Sequence, residues 1–263
     1  MSETVFGSAI VLHRRRLDDN SDVLLLLSPK WGRINAVCSG LQKAGSALRG
    51  KVEPFTEFEG LFVKGAGSLW RLTQAKALRM RIDICRDYNC ICWGSYLLEL
   101  FSRTVEGEDL PCPAAGLDYR LFYGILNEAL DALISFPHKG VAVSIWVLLR
   151  VLALLGIGPT LTECCGCGAG ETAGFSHEAG GALCGRCLDA YEDAFRLKAE
   201  VGELLRYYSA GSLKRALASK HTAAVYASAE RLLWRHLAGY WNLHLKSRAL
   251  LKIGERSIAS FGN

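Results

Sequence analysis

Apolar runs and turn signals alternate along the first 80 residues, which read as short strands, one of them with a clean two-residue period. FGSAIVLHRRRL (6–17) is apolar and β-branched, then basic. DDNSD (18–22) signals a turn, VLLLLSP (23–29) is a second apolar run, and KWG (30–32) is another turn. RINAVCSG (33–40) alternates cleanly, with Ile34, Ala36 and Cys38 on one face. LQKAGSALRGKV (41–52) is a polar, glycine-bearing loop. The stretch 53–78 holds two more strands around the hairpin signal KGAG. Five short strands in this length predict a small barrel, and the OB-fold is the commonest barrel of that size.

From Asp83 onward the period becomes helical. YNCICWGSYLLELFSRTV (88–105) carries apolar residues at three- and four-residue steps, and PCPAAG (111–116) breaks the chain. LDYRLFYGILNEALDALIS (117–135) is a second amphipathic helix, ended by Pro137. VAVSIWVLLRVLALLGIGP (141–159) is apolar throughout, with Gly156, Gly158 and Pro159 as stop signals. It is slightly short for a bilayer and carries Arg150 mid-way, so it predicts a buried core helix and no membrane span. The stretch 223–251 reads as one long amphipathic helix rich in Trp, Arg and His. The expected fold class is therefore α+β and multidomain. An OB-fold barrel over 1–80 precedes an α-helical domain over 81–263, with the boundary near Leu78 to Asp83.

Cysteines supply the candidate chemistry. Cys164 and Cys167 form one C-x-x-C pair, and Cys184 and Cys187 another, with 16 residues between the pairs. That spacing suits a four-thiolate zinc site. Four thiolates complete a tetrahedron around Zn²⁺ and leave no position for water or substrate, so the site is structural. The expectation is an inserted four-cysteine zinc knuckle over 160–190. Cys165 is the odd residue of the cluster, and His177 fits no paired spacing. Gly168 and Gly185 suit the tight turns such knuckles need. A disulfide framework would require an oxidising compartment. The N-terminus has no basic region followed by an apolar core, so a cytoplasmic protein with reduced thiols is expected.

Charge is segregated along the chain. Residues 1–81 hold 13 Lys/Arg against 7 Asp/Glu, residues 82–199 hold 8 against 15, and residues 200–263 hold 10 against 4. Two basic ends flanking an acidic middle suggest a polyanionic partner.

The barrel-then-helix order, together with KWGRINAVCSGLQKAGSALRGKVEPFTEFE, LLRVLALLGIGP before the cysteines, and RLLWRHLAGYWNLHLKSRALL, resembles the RecO family of bacterial recombination mediators. The matching pieces span nearly the whole chain. The turn Asp18-Asp19-Asn20-Ser21-Asp22 departs from the family's Tyr- and Glu-containing turn. The resemblance implies an OB-fold followed by a helical domain with a zinc knuckle. It implies binding to single- and double-stranded DNA, annealing of complementary strands, and help in loading the RecA recombinase together with the RecR ring protein. It also implies contact with the C-terminal tail of single-stranded DNA-binding protein and a cytoplasmic, nucleoid-associated location in a bacterium.

Within that frame, a DNA-binding barrel needs cations and stacking rings. The candidates are Arg14, Arg15, Arg16, Lys30, Arg33, Lys43, Arg49 and Lys51, with Trp31 as a ring that either stacks on a base or packs at the barrel rim. Arg231, Arg235, Lys246 and Arg248 offer a second surface for DNA or for an acidic, apolar protein tail. No phosphate-cradling G-x-x-x-x-G-K-[ST] is present and no nucleophile–base set is legible, so no enzyme is expected. The rival readings are a zinc-containing nucleic-acid-binding regulator and a protein-interaction adaptor.

Overall fold

The computed structural model describes residues 3–41, 46–64, 69–105, 117–241 and 243–251. The chain divides into two compact units, Met1–Pro137 with Leu245–Asn263, and His138–His244.

The first unit begins with β1 (Glu3–Arg16), β2 (Ser21–Ser28), β3 (Gly32–Ser39), β4 (Glu57–Lys64) and β5 (Leu69–Arg79). They close a barrel in the order β1-β2-β3-β5-β4, the strand order of an OB-fold. Closure rests on two features. β1 is long enough to pair with β2 over its second half and β4 over its first, with a register shift between Val11 and His13. A short parallel ladder, residues 35–37 against 69–71, joins β3 to β5. Alternation decides which side chains point inward. Ala9, Val11, Ile34, Ala36, Cys38, Phe58, Phe62 and Leu72 fill the barrel. In β1 the run 9–12 is buried on both faces, because the outer face of the strand also meets α1.

A 3₁₀ turn (Ile82–Arg86) leads into α1 (Tyr88–Thr104). Asp87 caps α1 by accepting from the Cys90 amide. Helix α2 (Tyr119–Ser135) is capped by Asp118, which accepts from the Arg120 amide. A polar network fastens α2 to the barrel. Arg81, almost wholly buried, donates to Asp131 (2.6 Å), to the Asn127 side chain (2.7 Å) and to the Phe55 carbonyl (3.1 Å). Tyr123 donates to Glu57 at 2.8 Å, and Arg79 bonds Asp131. A buried cation needs its donors matched, and Arg81 supplies a planar fork that three acceptors meet.

The second unit holds α3 (Gly140–Leu154), a three-stranded sheet of β6 (Gly174–Ser176), β7 (Gly181–Leu183) and β8 (Phe195–Arg196), then α4 (Ala199–Ala210), α5 (Leu213–Ala218) and α6 (Ala223–Trp241). The stretch Pro137–Leu154, which contains α3, is the one described helical segment long and apolar enough to cross a membrane. α3 is nevertheless the central core helix, packed by α4, α5 and α6. Arg150 explains itself there: it donates to the Ser209 carbonyl at 2.8 Å and to that of Gly211, satisfying carbonyls at the end of α4. α3 ends in a Schellman motif. Gly156, at φ +73°, sends its amide to Ala153, and Ile157 sends its amide to Leu152.

The expected long C-terminal helix is shorter. α6 stops at Trp241, and residues from Leu245 belong to the first unit. Residues 243–245 are non-helical, because Lys246 and Ser247 turn their amides to the Glu99 carboxylate (3.0 and 2.7 Å). Hydrogen bonds to a charged acceptor outweigh the helical preference of this short run.

Candidate metal centre and nucleic-acid interface

The sulfurs of Cys164, Cys167, Cys184 and Cys187 lie within 4.8 Å of one another. Each C-x-x-C sits on a tight turn. Cys164 accepts the Gly168 amide on its carbonyl at 2.8 Å, and Cys184 accepts the Cys187 amide at 3.2 Å. Gly168, at φ +74°, closes the first turn in the left-handed region. Gly185 has no such backbone; the second tight position is Gly166, where a Cβ would lie 3.1 Å from the Cys187 sulfur. The sheet carries these turns: the Cys165 amide donates to Ala182 of β7, and Leu183 leads directly into Cys184. Cys165 therefore belongs to the sheet edge and stands outside the four-sulfur cluster.

Electrostatics prepare the sulfurs for a cation. The backbone amide of Cys184, then those of Gly166 and Cys167, bring the Cys164 thiol down to about 6. The Cys187 and Arg186 amides lower Cys184. Cys187 is pushed up to about 12, because Cys167, Cys184 and Cys164 all hydrogen-bond to it. Crowded thiols cannot all ionise without a counter-charge, and a divalent cation supplies one. Cys167 and Cys184 sulfurs stand 3.7 Å apart, close to the ~3.8 Å edge of a tetrahedron with ~2.3 Å metal–sulfur bonds. The donor set fits a metal ion. His177 lies outside it, its ring 3.4 Å from that of His236 on α6 and its amide bonded to Asp193.

The barrel cations separate by strand register. Arg14, Arg15 and Arg16 end β1 and lie near Asp22 of β2. Arg14 is paired with Asp22 and Glu53, and Arg16 with Asp19. Arg15 is exposed, as is Arg49 in the loop between β3 and β4, with Lys51 half-buried close by in sequence. Lys43 lies outside the described residues. Lys30 and Trp31 occupy the opposite end, in the turn between β2 and β3. There Trp31 is half-buried, edge-on to Phe62 and Trp70, with the Lys30 ammonium 5.3 Å from its ring centre. Trp70 was missed from the sequence, since it looks like any strand residue; its partner Lys64 gives the clue, with an ammonium 5.0 Å from the indole. Arg33 donates to the Ser102 carbonyl of α1.

A cleft of about 480 Å³ opens beside Arg33, walled by β1, α1 and the 246–247 segment. Leu12, Leu25 and Leu98 floor it, and His13, Arg103 and Lys246 stand around it. Arg248 lies in the same unit, over the Tyr96 ring. Arg231 and Arg235, both exposed, belong to α6 in the second unit. The four C-terminal cations thus do not share one helix.

Two family models cover most of the chain. "Recombination protein O N terminal" matches residues 1–81 and "Recombination protein O C terminal" matches residues 85–249. The chain belongs to the RecO family of DNA repair proteins. The "DNA repair protein RecO" of Gloeobacter violaceus is 28% identical over 95% of this chain and 94% of that protein. That of Nocardioides sp. is 30% identical over 68% of this chain and 72% of that protein. That of Halalkalibacterium halodurans is 25% identical over 93% of each. The two RecO models meet in the 3₁₀ turn that follows β5, where the barrel ends and the helices begin.

Proposed function

We propose that this RecO-family chain is a DNA-binding repair mediator. It binds single and double strands, anneals complementary strands, and assists RecA loading with a RecR-like ring protein. The observation that carries this is a closed five-stranded barrel of OB order in a chain that belongs to a DNA repair family. Annealing needs no catalytic group. It needs cations that screen two phosphate backbones while leaving the bases free to search. Arg15, Arg49 and Lys51 at one end of the barrel and Lys30 at the other are the contacts we assign first, with Arg14, Arg16, Arg33 and Lys43 adding to the field. Arg231, Arg235, Lys246 and Arg248 extend it. The cleft beside Lys246, lined by leucines, by Arg33, Arg103 and Lys246, and by Glu99 whose carboxylate is taken up by the Lys246 and Ser247 amides, suits the acidic, apolar tail of single-stranded DNA-binding protein. The four-cysteine centre holds Zn²⁺ as a structural ion. The protein works in the bacterial cytoplasm, at the nucleoid.

Strand annealing tests this directly. Two complementary labelled oligonucleotides, one coated with single-stranded DNA-binding protein, are mixed without nucleotide across a salt series. Acceleration that fades steeply with salt is expected. No acceleration, with no DNA binding even at low salt, leaves the adaptor reading in its place.

A further inference from the structure

We infer that the Trp31–Trp70 end of the barrel is a stacking seat for unpaired nucleobases. This rests on the reading that the chain binds single strands.

The seat is a corner of two indoles. The ring centres of Trp31 and Trp70 are 5.0 Å apart and their planes are inclined by 66°. Phe62 lies behind both, 5.8 Å from Trp31 and 6.0 Å from Trp70. A base that stacks on one indole therefore meets the edge of the other. Both indoles are only partly buried against the barrel core. The corner is also firm. Trp31 lies on Gly7 of β1, where even a Cβ would come within 2.6 Å of the ring. Trp70 is held in two ladders, opposite Lys64 on β4 and Ala36 on β3. Platforms fixed by packing hold a ligand without an ordering cost.

The cations give the second argument. In the free protein each indole carries a lysine ammonium near its face, Lys30 on Trp31 and Lys64 on Trp70. Lys64 is steadied by Glu3 at 3.2 Å. Each ammonium marks a ring face that a lysine covers and the barrel core does not fill. An exposed cation–π contact is the weaker interaction and base–aromatic stacking the stronger. An incoming base therefore displaces the ammonium, and the freed lysine is left beside the phosphate of the same nucleotide. Stacking of this kind tolerates any base, which suits a protein that anneals strands of any sequence.

The test compares a 20-mer of deoxythymidine with an abasic 20-mer of the same phosphate count, using the full chain at fixed salt. The unaltered chain should bind the thymidine strand about tenfold more tightly. Trp70→Leu should erase that preference while leaving abasic affinity unchanged. A strand carrying 5-iododeoxyuridine, crosslinked by light to the unaltered protein, should label the peptides holding Trp31 and Trp70; this arm stands if the variant does not fold. Equal affinity for the two strands, or crosslinks confined to other peptides, overturns the seat and leaves DNA binding intact. Binding to neither strand overturns the DNA reading with it.

Discussion

Some single side chains in this chain are held by several partners at once. Glu99 is the clearest case. Burial alone would raise its carboxyl, yet the Ser247 hydroxyl and amide and the Lys246 amide hold it below the ordinary value. A depressed carboxyl stabilises above its unfolded value of about 4.3 and loses that stabilisation as pH falls through the folded one. Protection of the Lys246 and Ser247 amides, taken relative to their intrinsic exchange rates, should therefore fall on acidification below about pH 4. At neutral pH, Glu99→Gln should speed Ser247 exchange about tenfold, as loss of charge on an acceptor implies; an unchanged rate would show that the clasp does not hold the segment. The metal centre makes its own prediction at this scale. If the centre takes up zinc as proposed, Cys184→Ser should abolish zinc retention and lower the melting temperature of the knuckle's unit, because structural metal binding is folding free energy. One zinc retained per chain with an unchanged melting curve would refute it. The cysteines were readable from spacing alone, since a four-thiolate site constrains sequence directly. Glu99 was not, because its partner Ser247 lies 148 residues further on.

Secondary elements divide along the same line. β3, α1 and α2 were legible because each buries a periodic face, and β2 and α3 because each is an unbroken apolar run. The end of α6 was not, because NLHLKSRALL keeps a helical pattern that distant hydrogen bonds override. Glycines in the two helices of the first unit separate the local from the tertiary. In α1, a Cβ on Gly94 would meet the Phe55 ring at 2.9 Å. Phe55 cannot retreat: it sits at φ +71°, with its amide bonded to Val11 and its carbonyl to Arg81. Gly124 in α2 faces open space. Gly94→Ala should destabilise by about 1 kcal/mol, as overpacking outweighs the propensity gain, whereas Gly124→Ala should stabilise by about the same amount. Thermal melts of the pair check this, and equal shifts would contradict it. In the second unit, His236 donates from Nε2 to the Ile157 carbonyl (3.0 Å), and its Nδ1 faces His177 (3.4 Å). Burial lowers both imidazoles, with Asp193 opposing and Arg235 assisting at His177. A base whose folded pKa is lowered stabilises most above its unfolded value of about 6.5 and less as pH falls below it. The melting temperature should drop between about pH 7 and pH 5, and the slope should flatten in His236→Gln.

For the whole molecule, the charge segregation seen in the sequence has a definite distribution. Arg14, half-buried, is paired with Asp22 and Glu53, and Arg16, exposed, with Asp19, while Arg15, Arg49 and Lys30 stand exposed without a carboxylate so close among the described residues. A run of three arginines therefore counts for less than its formal charge. Binding of a single strand should show a salt slope governed by the exposed set: Arg15→Gln or Arg49→Gln should each reduce it by about one phosphate's worth, and Arg16→Gln by less. Affinity titrations over a range of salt decide between them. Ion pairing across strands is invisible in composition, which is why the sequence could nominate the cations without ranking them.

The return of residues 245–251 to the first unit bears on how the chain is made. Synthesis runs from the N-terminal side, so the barrel and α1 emerge long before the residues that meet the Glu99 carboxylate. The whole of His138–His244 is translated in between. The second unit is thus an insertion in the first, whose Glu99 acceptor stays unfilled until the segment beyond the insertion has been made. A chain ending at residue 244 should be cut by protease near Glu99 faster than the full chain, while α3 to α6 stay protected.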